Sequence, residues 1–294
     1  MHLPVLLKEV IQYLKPQANE DFIDATFGEG GHSLKILEHN KLQGKVLGIE
    51  IDKEIYEKVK ERFKDIKRLI LVNGSYTNLK EIVKDYQFYE VNGVLFDFGI
   101  CTYHLEESGR GFTYKKNEPL DMRFDVNQDV TAKDILNWYP EQEIEKILRE
   151  FGEERYSFKI AKAVVKTRKE KKFETTMDLV ELLKRVLPRN YDKHRLPFPT
   201  RTFQALRIAT NNELENIKKG IDEAFEVLKP NGRLVVISFH SLEDRIIKNF
   251  FKELEKQNKG EILTKKPITP SKEEISLNPK SSSAKLRTIK KINK

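Results

Sequence analysis

Apolar runs and amphipathic stretches alternate along the first hundred residues. Phe22-Ile23-Asp24-Ala25-Thr26 reads as a short buried strand, and residues 33–40 as the helix after it. Residues 46–51 form a second strand. Residues 53–64 place Ile55, Tyr56, Val59 and Phe63 on one helical face. Leu69-Ile70-Leu71-Val72 and Val94-Leu95-Phe96-Asp97 give a third and a fourth strand. Strands and helices taking turns in this way predict an α/β fold around a parallel sheet.

The next buried strand, Leu234-Val235-Val236-Ile237, comes only after a helix over 213–228 and the turn signal Lys229-Pro230-Asn231-Gly232. The gap from Asp97 to Leu234 far exceeds the roughly 30 residues of a simple crossover unit. An insertion is therefore expected. Its middle, 131–187, has helical periodicity. Thr131-x-x-Asp134 and Thr175-x-x-Asp178 read as capping boxes within it. A further helix over 241–257, capped by Ser241 with Asp244, follows the late strand. Residues 261–264 and 284–292 read as closing strands. The Pro/Ser/Lys-rich stretch 267–283 between them reads as a loop.

Composition narrows the class. Of 294 residues, 38% are hydrophobic and 34% charged, which describes a globular protein with a heavily charged surface. No apolar run nears the roughly 20 residues that span a bilayer. The N-terminus lacks a secretory signal, so no membrane association and a cytoplasmic location are expected. Cys101 is the single cysteine, which leaves no internal disulfide and no cysteine-based zinc site, and no metal ligands are assigned. The net charge of +8 favours an acidic partner, nucleic acid first. Lys159, Lys162, Lys166, Arg168, Lys169, Lys171 and Lys172 crowd one stretch of the insertion.

Candidate chemistry begins at Asp24-Ala-Thr-Phe-Gly28-Glu-Gly30-Gly31-His32, where a strand gives way to a helix. Glycines there admit positive φ and close approach of a ligand, and the helix N-terminus offers free N–H groups. Glu50, at the end of the second strand, is placed to accept the hydroxyls of an adenosine ribose. A dinucleotide site would want G-x-G-x-x-G, and an acid such as Asp24 would repel a pyrophosphate. The same acid suits the ammonium of a methionine moiety, so S-adenosylmethionine is favoured over a nicotinamide or flavin, and over a turn without a ligand. Asp97 ends the fourth strand, on the edge of the sheet where ligands of such folds lie. It is read as a hydrogen-bond acceptor for an amine, against the alternative of a turn cap. Cys101 is read as inert rather than as a nucleophile.

Rarer strings run in order along the whole chain. They include His2-Leu-Pro-Val-Leu-Leu-Lys-Glu9, Arg110-Gly-Phe-Thr-Tyr114, Pro119-Leu-Asp-Met-Arg123, Phe151-Gly-Glu-Glu-Arg155, Thr200-Arg-Thr-Phe-Gln-Ala-Leu-Arg-Ile208, Ile237-Ser-Phe-His-Ser-Leu-Glu-Asp-Arg-Ile246 and Ser283-Ala-Lys-Leu-Arg287. Together they closely resemble the bacterial small-subunit ribosomal RNA (cytosine-N4)-methyltransferase H family. The resemblance implies a class I S-adenosylmethionine-dependent methyltransferase (Rossmann-like) sheet with an inserted small helical domain. The methyltransferase domain is expected over 1–105 and 200–294, and the inserted, substrate-recognising domain over 106–199. The implied reaction methylates N4 of a cytidine in the P-site region of 16S ribosomal RNA. The alternative is a non-catalytic RNA-binding ribosome assembly factor that keeps the fold.

The family's cofactor contacts fall on Gly30, Gly31, His32, Glu50, Tyr76, Asp97 and His104. Glu50 stands where the family has Asp, Tyr76 where it has Phe, and His104 where it has Gln. After Asp97 the family reads Leu-Gly-Val-Ser-Ser-Pro-Gln, and this chain reads Phe-Gly-Ile-Cys-Thr-Tyr-His. Asp97 is the expected catalytic group. Asp121 and Arg123 are candidates for the base pocket, weighed against a structural ion pair. Arg201, with Arg207, is a candidate for the RNA backbone, weighed against a bracing role in the fold, and His240 for the substrate cleft. The small ribosomal subunit is the expected partner, a homodimer is compatible with the sequence, and DNA is disfavoured because no Asn/Asp-Pro-Pro-aromatic motif follows the fourth strand.

Overall fold

The computed structural model describes residues 4–188, 191 and 197–292. His2 and Leu3, which open the first of the family strings, lie outside the described residues. The chain divides into two compact units, Met1–Gly99 with Leu214–Lys294, and Ile100–Glu213.

The first unit is built on a seven-stranded sheet. In chain order it comprises α1 (Leu7–Leu14), β1 (Asp21–Asp24), α2 (Gly31–His39), β2 (Val46–Glu50), α3 (Lys53–Arg62), β3 (Leu69–Asn73), α4 (Leu79–Asp85) and β4 (Val91–Asp97). After the second unit come α11 (Glu213–Val227), β5 (Leu228–Ser238), α12 (Ser241–Lys256), β6 (Gly260–Ile262), α13 (Lys272–Leu277) and β7 (Lys285–Lys291). The strand order is β3-β2-β1-β4-β5-β7-β6. Strands β1 to β5 run parallel, while β7 pairs antiparallel with both β5 and β6. This is the class I methyltransferase sheet that the resemblance implies, with β7 as a reversed strand. Its strand order switches direction between β1 and β4, and there the carboxyl ends open a crevice for a ligand.

Strand residues alternate between two buried faces. Ile23, Leu47, Ile49, Val94, Phe96, Leu234 and Val236 join one core with Ile217, Ile221, Ile247 and Phe251 of α11 and α12. Phe22, Val46, Leu95, Val235 and Ile237 face the other way, onto Val10 and Leu14 of α1 and Ile36 and Leu37 of α2. Burial on both faces explains why these strands read as continuous apolar runs rather than alternating ones.

Three elements differ from the pattern. The turn signal Lys229–Gly232 falls inside β5 as an irregularity: Val91 pairs with Leu228, and the register resumes only at Gly93 with Arg233. The stretch 267–283 is not simply a loop. Ser271 accepts from the N–H of Glu274 and starts α13, and Glu274 Oε1 in turn accepts the N–H of Leu6 at 2.7 Å. The helix is short, and the bond from Leu6 is a long-range contact that no local pattern carries. The cap of α12 lies at His240 with Glu243, one residue before the expected Ser241 with Asp244. Asp244 is instead held by Arg287, Nε to Oδ1 at 2.6 Å.

The second unit is helical: α5 (Thr102–Glu106), α6 (Ala132–Trp138), α7 (Glu141–Gly152), α8 (Ser157–Thr167), α9 (Thr176–Val186) and α10 (Thr200–Asn211). The capping boxes at Thr131 with Asp134 and at Thr175 with Asp178 both form. Ile135, Leu136, Ile144, Leu148, Ile160, Val164, Phe173, Leu179, Leu183, Phe203 and Leu206 share one core. The unit is wider than 106–199 because α10 belongs to it. Gly152 lies so close to α10 that a Cβ there would come within 2.6 Å of the Arg201 carbonyl oxygen.

Candidate active site

The glycine turn is shaped by backbone geometry. Past β1 the chain is pinned by Phe27 N–H donating to the Ile49 carbonyl at 2.9 Å, and Gly30 N–H donating to Phe27 at 2.9 Å. Gly30 caps α2 with φ +80. A Cβ there would meet the Phe27 ring at 2.6 Å and the Phe63 ring at 2.8 Å, so both conformation and space demand glycine. His32 and Ser33 follow in the first turn of α2, both buried. Ser33 Oγ donates to Asp24 Oδ2 at 2.7 Å.

Three carboxylates stand at the carboxyl ends of adjacent parallel strands: Asp24 on β1, Glu50 on β2 and Asp97 on β4. Glu50 Oε2 accepts the N–H of Gly28 at 2.9 Å, and Oε1 accepts that of Asp52 at 2.8 Å. The acid therefore ties the end of β2 to the glycine turn. Burial pushes its carboxyl up to about 7, further than the two N–H donors pull it down. Burial also raises Asp24, with the charge of Asp97 adding to the effect and His32 and Ser33 opposing it. Asp97 is fixed through its backbone, whose N–H donates to Thr26 Oγ1 at 2.6 Å. Its Oδ2 lies 3.6 Å from His32 Nε2. Its buried Oδ1 has no hydrogen-bond partner, and neither ring nitrogen of His32 has one.

Among the described residues, no Lys or Arg pairs with Asp24, Glu50 or Asp97. Buried carboxylates without a cation are destabilising unless a ligand supplies the charge. S-adenosylmethionine carries a sulfonium and an ammonium against one carboxylate, so it fits this arrangement, whereas a pyrophosphate would add to the negative charge. Gly30, Gly31 and His32 would hold it from the helix end, and Glu50 would accept its ribose hydroxyls. Tyr76 supplies apolar surface: its ring stands edge-on to Phe96 at 5.5 Å and Phe98 at 5.8 Å.

The remaining expected residues have other local settings. His240 caps α12: its Nδ1 accepts from Glu243 N–H at 3.4 Å, and Glu243 Oε2 accepts from the Phe239 N–H at 2.7 Å. His104 belongs to the helical unit, where it is buried between Phe112 at 4.9 Å and Phe124 at 5.0 Å, with Cys101 Sγ 3.1 Å from its Nδ1. Arg123 is consumed within its own unit. Its Nε and Nη2 donate to Asp121 at 2.8 and 2.7 Å, and its Nη1 donates to the Val126 carbonyl at 2.8 Å and to that of Gln128. Burial pushes Asp121 up, but the Arg123 bonds outweigh it and hold the carboxyl below its ordinary value. These bonds favour the structural ion pair for Asp121 and Arg123. Arg201 Nη1 donates to the Glu153 carbonyl at 2.5 Å, joining α10 to the end of α7. Arg207 forms a two-pronged pair with Glu213 at 2.7 and 2.8 Å. Two side chains that hold the strand-end acids are not marked by any sequence motif, Thr26 beneath Asp97 and Ser33 on Asp24. The only local signal for either is a hydroxyl residue beside the acidic strand end.

The sheet order, the glycine turn and three strand-end acids that pair with no Lys or Arg among the described residues fit a class I S-adenosylmethionine-dependent methyltransferase. Sequence comparison carries the assignment further. The chain belongs to the MraW methylase family, whose profile matches residues 1–292. It is 47% identical over 292 residues to the ribosomal RNA small subunit methyltransferase H of Sulfurihydrogenibium sp., covering 99% of both chains. It is 45% identical over 306 residues to the protein of the same name from Caldicellulosiruptor saccharolyticus, again covering 99% of each. Among solved structures, an rRNA methylase from Streptococcus thermophilus superposes with a TM-score of 0.46 at 11% identity, covering 100% of this chain and 99% of the other.

Proposed function

We propose that this enzyme methylates the N4 amino group of a cytidine in the P-site region of 16S ribosomal RNA, acting in the cytoplasm on the small subunit or its RNA. The observation that carries the reading is Asp97 Oδ1, a buried carboxylate oxygen without a partner at the end of β4. S-adenosylmethionine supplies an electrophilic methyl on a good leaving group, so the protein's main task is alignment. The N4 lone pair of cytosine is delocalised into the ring. Asp97 accepts a hydrogen bond from the amino group, localises the pair, and stabilises the positive charge that develops on nitrogen. Thr26 holds Asp97 at its backbone, and the proton released by the methylated amine passes to the carboxylate or to water.

The names of the relatives support RNA of the small subunit as substrate. The sequence Asp97-Phe98-Gly99-Ile100 favours RNA over DNA, since it lacks the motif of DNA amino-methyltransferases. No described helix is long and apolar enough to cross a membrane. All the groups invoked lie on one chain, so the reading holds for a monomer or a homodimer. The test is mass spectrometry of small-subunit rRNA incubated with protein and labelled cofactor. A methyl on a cytidine N4 is expected, and Asp97→Ala should abolish it. No label on a cytidine amino group sinks the proposal, and wild-type turnover by the variant removes Asp97 from the mechanism.

A further inference from the structure

The single tryptophan of the chain is not in a core. Trp138 closes α6 with 68% of its surface exposed, and the Lys172 ammonium sits 4.0 Å from its ring centroid. Water is a poor environment for an indole, and a helix end gives no structural reason to hold one there. Arg168 explains how the arrangement is fixed. Its Nη1 donates to the Leu136 and Tyr139 carbonyls at 2.9 and 2.8 Å, which clamps the end of α8 against the end of α6 on either side of Trp138. The clamp brings the end of α8 beside the end of α6, in a stretch, 159–172, that carries seven basic residues and one acid, Glu170. Lys171 is committed to Asp178 at 2.6 Å. Among the described residues, Lys159, Lys162, Lys166, Lys169 and Lys172 form no ion pair. A second exposed ring, Phe158 at 60%, stands further along α8 with Lys162 6.0 Å from its centroid.

Exposed rings interleaved with unpaired ammonium groups match one ligand chemistry. A base has a face to stack on an indole, and the phosphates beside it meet the lysines. A protein partner that used the rings would have to be acidic as well as apolar, and a single-stranded RNA has both features at every nucleotide. We propose that Trp138, Lys166, Lys169 and Lys172 form a stacking platform for an unpaired nucleotide of the RNA substrate, a binding surface contained in the helical unit. The proposal rests on the RNA reading given above and adds the place where the strand is gripped.

Because Trp138 is the sole tryptophan, its emission reports on the platform directly. The full-length protein is titrated with a ten-nucleotide oligouridylate, following tryptophan emission and, separately, the anisotropy of a labelled copy of the oligonucleotide. Saturable quenching is expected. Trp138→Ala should weaken binding by between about 5-fold and about 150-fold, the span of one lost base–aromatic stack. The triple variant Lys166→Ala, Lys169→Ala, Lys172→Ala should reduce the slope of log affinity against log salt by about 2. Both variants should keep the wild-type far-ultraviolet circular dichroism spectrum and urea midpoint, which certifies the fold of the helical unit, and cofactor binding should equal that of the wild type. Unchanged emission at saturating oligonucleotide, or equal affinity of Trp138→Ala and wild type, overturns the platform. An emission maximum that shifts with protein concentration in the absence of RNA overturns it in favour of self-association. Failure of N4 methylation in the mass-spectrometric assay would leave the quenching intact, so the two proposals fail separately.

Discussion

Glu50 should make the protein less stable as the pH rises, and Gln at this position should remove the effect. The carboxyl is buried at the end of β2 and lies at about 7, against an ordinary value of 4.5. The folded chain therefore binds this proton more tightly than the unfolded chain. The associated stabilisation is complete below about pH 4.5 and is lost as pH rises through about 7. Each tenfold in proton affinity is about 1.4 kcal/mol, so the loss over this window is about 3 kcal/mol. Gln removes the titration, but its amide nitrogen only donates, so at every pH one of the N–H groups of Gly28 and Asp52 loses its acceptor. The variant should therefore be less stable than wild type near pH 4.5, by about 1–3 kcal/mol for the unpaired N–H. The variant should gain by about 3 kcal/mol relative to wild type by pH 8.5. Urea unfolding of the cofactor-free proteins, followed by circular dichroism across this range, measures the difference, and other titrating groups cancel in it. Cofactor binding should change in the opposite direction. Only the ionised carboxylate accepts both ribose hydroxyls, so wild-type affinity for S-adenosylmethionine should rise about 10-fold from pH 6 to pH 8 and stay flat in Glu50→Gln. Parallel stability curves for the two proteins would refute the reasoning, because they would place the titration of Glu50 outside the window.

Three further outcomes follow from the same geometry. Gly30→Ala puts a Cβ at φ +80 and within 2.6 Å of the Phe27 ring, so it should cost about 2–4 kcal/mol in thermal or urea unfolding and abolish cofactor binding in calorimetry. Thr26→Val leaves the Asp97 N–H without its acceptor and should cost about 1–3 kcal/mol. Its turnover should fall while cofactor affinity is kept, and an unchanged kcat would show that Asp97 does not depend on Thr26. Arg123→Ala breaks an ion pair and two carbonyl contacts inside the helical unit and should destabilise it by about 1–3 kcal/mol. RNA affinity in filter binding should be unchanged, and a drop in affinity with stability retained would return Arg123 to the RNA surface.

Much of the site could be read directly because its determinants are local. The turn from Asp24 to His32 combines positive φ, close backbone approach and a helix start within one short segment, and Glu50 and Asp97 are each the last residue of an apolar run. Parallel strands of this kind end on one edge, so three strand-terminal acids converge without further information. The arginines were harder to place. Arg123, Arg201 and Arg207 look alike in sequence as cations for RNA, but each finds a carboxylate or carbonyl in its own unit. Nothing in a linear pattern tells a cation turned inward from one turned outward.

The sequence by itself determined the α/β rhythm, the site of the insertion, the capping boxes of the helical unit and the cofactor turn, because periodicity, caps and φ demands are properties of neighbouring residues. The tertiary structure alone decided which charged groups remain available. It showed Asp97 Oδ1 unpartnered, Asp121 and Arg123 spent on each other, α13 held by Leu6, and Trp138 exposed beside unpaired lysines. Those outcomes depend on contacts between residues far apart in the chain, and the energy of a buried or paired charge is set by whatever the fold brings beside it.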